Sequence, residues 1–150
     1  MGARILAGAM KNLSLDGSSD VRFNQVILAA PDIDRDTFAA LASAINHMAD
    51  RMTIYASSRD RALKLSKLAH GYPRAGESGD ALTIVPGVDT VDATAVYTDF
   101  FSDLLSHSYF TGRTVLSDLF SLFGYDLPPM ARFAIFPDSR GSSRYWVFRP

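Results

Sequence analysis

A chain of 150 residues, 47% apolar and 21% charged, has the size and balance of one globular domain with a packed core. Its formal charge of −1, from 15 basic and 16 acidic side chains, supplies no long-range field for nucleic acid or an anionic membrane. The absence of cysteine removes disulfides, thiolate metal sites and cysteine nucleophiles, and no stretch approaches the ~18 consecutive apolar residues of a membrane span.

The chain starts with a short helix over residues 3 to 11, with Ile5, Leu6 and Ala9 on one side. The start is too briefly apolar and too soon charged for a secretory signal. Residues 12 to 22 read as a polar, Gly/Ser-rich loop. Gln25 to Ala30 is an uninterrupted apolar run stopped by Pro31, as expected of a strand buried on both faces. A helix follows from about Arg35 to Arg51, with Phe38, Leu41, Ala42, Ile45, Met48 and Ala49 on its core stripe and Asp34 as N-cap. Met52 to Ser57 is a second strand, and Ser58 caps a helix from Arg59 to about Ala69. After a loop over 72 to 80, a third strand falls within Leu82 to Ala93, its better half being Val88 to Ala93 beyond the Pro86-Gly87 break. An irregular segment leads to His107-Ser108-Tyr109-Phe110, and a last helix runs from Arg113 to Phe123 with Val115, Leu116, Leu119, Phe120 and Phe123 inward. The tail carries two β-like runs, 132 to 136 and 144 to 148, around Pro137 to Ser143; they form a hairpin or an edge addition, or else a loosely docked end.

Alternating strands and helices imply an α/β layered fold with parallel strands, whose ligands bind beyond the carboxyl ends of the strands. Those ends hold Asp32, Ser57 to Asp60, and Asp92 onward to His107. Taken singly, Asp32, Asp34 and Asp60 read as helix-start acids, and His107 as a loop histidine. His47 and His70 have no second ligand at metal spacing, so neither a metal nor a cofactor is implied. Together, an acid after one strand and a histidine after the next fit a Ser-His-acid hydrolase, in which the acid orients the imidazole and the imidazole moves the nucleophile's proton. Asp60 and His107 keep the chain order acid then histidine. No G-x-S-x-G elbow is present: Gly17-Ser18-Ser19-Asp20 has the wrong form, and Gly141-Ser142 follows the histidine. Neither G-x-G-x-x-G nor a P-loop occurs.

Residues 1 to about 123 resemble the C-terminal half of a family of bacterial α/β-hydrolases, largely uncharacterised and esterase- or lipase-like. The resemblance rests on Met1 to Arg4, Val26 to Asp34, Tyr55 to Leu63, Gly87 to Ala93 and His107 to Phe110. Ala-Pro-Asp, Ser-Ser-Arg-Asp-Arg-Ala-Leu and His-Ser-Tyr-Phe are the specific strings. It implies an α/β-hydrolase sandwich with a mostly parallel sheet, here the three C-terminal strands and their helices over 1–124, with residues 125–150 as a tail. It implies Asp60 as the acid, with Asp32 as the fallback, and His107 as the base. The family elbow reads His-Ser-Met-Gly, which puts the nucleophile serine just before Met1 and leaves this chain inactive as written. The substrate class is a small carboxylic ester or related acyl compound. The Gln25–Ala30 strand would then have an open edge suited to self-association. The competing reading is a non-catalytic binding or assembly domain that docks through that edge or through Phe133, Phe136, Tyr145, Trp146 and Phe148.

Overall fold

The computed structural model describes residues 2–16, 21–59, 63, 68, 71–96 and 112–149. In chain order these form α1 (Gly2–Leu15), β1 (Phe23–Ala29), α2 (Arg35–Ile45), β2 (Ala49–Ala56), β3 (Asp89–Asp92), α3 (Gly112–Tyr125), β4 (Ile135–Arg140) and β5 (Ser143–Phe148). The strands make one sheet in the order β1-β2-β3-β5-β4. Every neighbouring pair is parallel except the β4–β5 hairpin. The architecture is the mixed α/β, mostly parallel sheet that the alternating pattern implies.

The sheet has a core on each face. Val26, Leu28, Met52 and Ile54 point one way, with the register pairing Val26 to Met52 and Leu28 to Ile54. They pack under Ala7 and Met10 of α1 and Phe38, Ala42 and Ile45 of α2. Tyr55, Val91, Trp146 and Phe148 point the other way and meet Val115 of α3. Burial on both faces is why β2 reads as a continuous apolar run, but β1, expected to be buried on both faces, alternates: Val26 and Leu28 are buried, Ile27 is half-buried and Ala29 exposed. α3 covers the face opposite to α1 and α2. The right-handed crossover rule does not hold it to their side, because the strand that follows it, β4, is antiparallel.

Three boundaries differ from the sequence expectation. α1 continues through Asn12–Leu15, because Leu13 packs on the core and the Asp16 N–H donates to the Asn12 carbonyl at 3.0 Å. α2 stops at Ile45, and a 3-10 turn over Asn46–Met48 hands the chain to β2 at Ala49. Phe23 and Gln25 pair with Ala49 and Arg51, so the sheet ladder takes residues whose spacing also suits a helix stripe. Pro137 lies inside β4 instead of in a loop. It is tolerated because β4 is the edge strand, where a missing N–H breaks no ladder on its outer side.

The tail is a docked hairpin. Arg140 and Ser143 pair across a two-residue turn in which Gly141 takes φ 58°, the left-handed conformation such turns require. β5 pairs with β3 at Val91–Trp146 and Asp92–Val147, burying Trp146 and Phe148. Arg140 donates to the carbonyls of Gly79 at 2.6 Å and Asp80 at 3.2 Å, tying the hairpin to the loop before β3.

Candidate functional site

The carboxyl ends of β1, β2 and β3 meet on one rim, where each chain exit is pinned by its neighbour. β1 leaves through Ala30, which takes φ 43° and donates its N–H to the Tyr55 carbonyl at 2.9 Å. The buried Pro31 and the half-exposed Asp32 follow. Asp34 caps α2 by accepting the Thr37 N–H at 2.8 Å, and that bond holds its carboxyl below the ordinary carboxylate value.

Across these exits lies a strap of residues 73–78. The Ala75 N–H donates to Ile33, the Gly76 N–H to Pro31 and the Ser57 N–H to Gly76, all between 2.8 and 3.0 Å. The strap sits so close that a Cβ on Gly76 would stand 2.5 Å from the Ala30 carbonyl carbon and 2.6 Å from the Pro31 nitrogen. Arg74, nearly buried, points its Nε at Asp32 across 3.1 Å.

The exit of β2 is the best-held part of the rim. Ser57 is buried, and its Oγ accepts the Arg59 N–H at 3.1 Å. The Ser58 N–H donates to Thr94 Oγ1 at 3.0 Å, and the Thr94 N–H donates to Asp92 Oδ1 at 2.8 Å. The Ala93 N–H closes the gap between the two strands on the Ala56 carbonyl at 2.8 Å. Ser58 and Thr94 therefore fix the backbone up to Arg59, one residue before Asp60.

Asp60 and His107 themselves lie outside the described residues, as do His70 and most of the helix expected over 59 to 69. Asp32 is on the rim but already engaged with Arg74. His47 is elsewhere: it sits in the turn before β2, with Nε2 3.4 Å from Ser14 Oγ on α1. Among the described residues, no three His, Asp or Glu side chains gather as a metal would need.

Beneath the rim is a buried polar group that the sequence reading missed. Tyr55 donates its hydroxyl to Asp118 Oδ2, and Arg132 Nη1 donates to the same oxygen at 3.2 Å. Both members of the ion pair are fully buried. Burial, with the Asp118 charge beside it, pushes the Tyr55 hydroxyl far above its usual range. Burial also raises the Asp118 carboxyl, against the opposing pull of Tyr55 and Arg132. The group joins β2 to α3 and to the segment before β4. A legible signal existed, since Asp118 falls between Val115 and Leu122 on the buried stripe of its helix. An acid there needs a buried partner, but nothing local in the sequence names Tyr55 or Arg132.

A family described as alpha/beta hydrolase of unknown function (DUF900) matches residues 1–122. No curated protein and no solved structure matches the chain.

Proposed function

We propose, from the premise that this chain belongs to the DUF900 family of α/β hydrolases, that it supplies the acid and the base for serine-dependent hydrolysis of small carboxylic esters. Asp60 is the acid and His107 the base. The observation that carries the reading is the rigid exit of β2. Ser57, Ser58 and Thr94 lock the backbone that runs into position 60, as an orienting acid needs. Asp32 is the weaker candidate, because Arg74 competes with an imidazole for its carboxylate.

In this reading the nucleophile serine comes from polypeptide that docks beside β1, ahead of α1 in the family order. β1 has no partner on its outer edge among the described residues. α1 opens at Gly2. A helix that starts just behind the nucleophile turns its partial positive end toward the developing oxyanion. His107 accepts the serine proton as the oxygen attacks the ester carbonyl, then returns it to the leaving alcohol. Asp60 holds the imidazole tautomer and steadies the imidazolium. Water then releases the acid by the same steps. The acid and the base act only on a serine so placed.

The test is labelling with a fluorophosphonate, alongside turnover of a nitrophenyl ester. Both are run on these 150 residues and on a chain extended upstream through the expected His-Ser-Met-Gly. Only the extended chain should label and turn over. Asp60→Asn should then cost roughly 10⁴-fold and His107→Ala roughly 10⁶-fold in turnover, the losses typical of triad members. Labelling of neither chain sinks the reading in favour of a non-catalytic binding domain.

A further inference from the structure

The outer surface of α3 is apolar where a helix packed on a sheet is ordinarily polar. Val115, Asp118 and Leu122 are its buried positions. Leu116, Phe120 and Phe123 recur at spacings of four and three, so they stand in one row on the helix surface. All three are exposed, Phe120 at 64% and Phe123 at 66%. Tyr125, also 66% exposed, extends the row, its ring meeting Phe120 edge-on with 5.6 Å between centres.

The row carries no charge. From Thr114 to Tyr125 the one charged residue is Asp118, which is buried and held by Tyr55 and Arg132. Ser117 and Gly124 beside Phe120 are exposed and small, so a second helix can approach closely. Three rings about two-thirds exposed, with a leucine beside them, place roughly 400–600 Å² of apolar side chain in water. That matches the largest apolar patch of an ordinary monomer, and such patches are often functional. Two such faces together bury about 1,000 Å², the area at which a specific, weak protein pair becomes stable.

We propose that this face of α3 is a two-fold contact with a second copy of this chain, the two helices packing antiparallel. A two-fold contact matches a patch with itself. Phe120 lies near the middle of the row, so it meets Phe120 of the second copy, while Leu116 at one end meets Phe123 at the other. No charge on the row repels its own image, and antiparallel helix dipoles attract. A lipid surface is a poorer occupant, because an interfacial helix carries Lys or Arg beside its apolar row, and Thr114 to Tyr125 contains neither. The contact does not depend on the triad reading.

The test is sedimentation of the full chain from low to high micromolar concentration. The mass should rise from 16.4 kDa toward twice that value. Phe120→Glu should weaken the association at least about thirtyfold, the loss at a central hot spot. Circular dichroism and Tm should not change, because the ring is exposed within one copy. Phe123→Glu should act in the same way. Phe133→Glu, as exposed but off α3, should leave the association as it is. A chain that stays monomeric over this range overturns the proposal. So does a dimer indifferent to Phe120→Glu, which would place the contact elsewhere, at the outer edge of β1 first of all. Binding of phosphatidylglycerol vesicles by the monomer, lost in Phe120→Glu, overturns it in favour of a membrane surface. A chain extended upstream that stays monomeric, yet melts lower with Phe120→Glu, overturns it in favour of the added polypeptide.

Discussion

Gly76 is the position where one added methyl group should do the most damage. Its backbone is not in the left-handed region; the constraint is close approach. An alanine Cβ would sit 2.5 Å, 2.6 Å and 2.7 Å from three backbone atoms of Ala30 and Pro31, none of which can rotate away. The strap must lift, and with it go two hydrogen bonds, Gly76 N–H to Pro31 and Ser57 N–H to Gly76. Overpacking costs roughly 1–3 kcal/mol, and each backbone bond roughly 0.5–1.5 kcal/mol net. Gly76→Ala should therefore lower stability by about 2–6 kcal/mol, which at roughly 2–4 °C per kcal/mol for a domain this size is a fall in Tm of about 4–24 °C. Thermal unfolding followed by circular dichroism reads this. Gly8→Ala is the control: that glycine is in the middle of α1 with nothing within 4 Å of the added methyl. It should gain about 0.5–1 kcal/mol from helix propensity. A Gly76→Ala protein within about 0.5 kcal/mol of wild type would refute the close-approach argument, since that is the scatter of neutral substitutions.

Asp118 sets a pH dependence whose sign follows from its raised carboxyl pKa. Between the unfolded value and the higher folded one, the native state binds more protons, so this group's contribution is fullest in acid and falls as pH rises through the folded pKa. The stability gap between wild type and Asp118→Asn in urea unfolding should shrink from pH 4 to pH 7; a widening gap would contradict burial as the dominant cause. Ala134 holds φ 62° without being glycine. Ala134→Gly should raise stability by about 0.5 kcal/mol, the relief of left-handed strain exceeding the added chain entropy, and a calorimetric loss would count against it. Arg140→Ala removes the link from the hairpin to the Gly79 and Asp80 carbonyls. It should cost about 1 kcal/mol and speed amide exchange in β4 before β1; uniform exchange across the sheet would show that the link is not local.

The readable parts of this chain were those whose cause is local. The apolar runs of β1 and β2, the Asp34 cap and the strand expected over Val88 to Ala93 and found at Asp89–Asp92 follow from composition and spacing over a few residues. The hairpin was only one of the options the tail's two β-like runs left open, and its first strand falls at Ile135–Arg140 and not at 132–136. On the last helix the expected inward face was wrong, since Leu116, Phe120 and Phe123 are exposed while Val115, Asp118 and Leu122 are buried; at two boundaries, two local forces were nearly equal. Met48 and Ala49 suit a helix stripe or a strand, and pairing with Phe23 chose the strand. Pro137 breaks an inner strand but not an outer one, and only the sheet order says which it is in.

The same division runs through the site. Sequence by itself determined the layered class, the strand ends on which chemistry could sit, and the order of Asp60 before His107, because chain order and periodicity are one-dimensional properties. Tertiary structure decided what surrounds the described strand ends. Arg74 on Asp32, Gly76 against Ala30, Thr94 beneath Ser58, and Tyr55 with Asp118 and Arg132 each join residues from separate elements. Such contacts depend on which strand lies beside which and how far each helix reaches. Long-range packing sets both, and no window of neighbouring residues contains either.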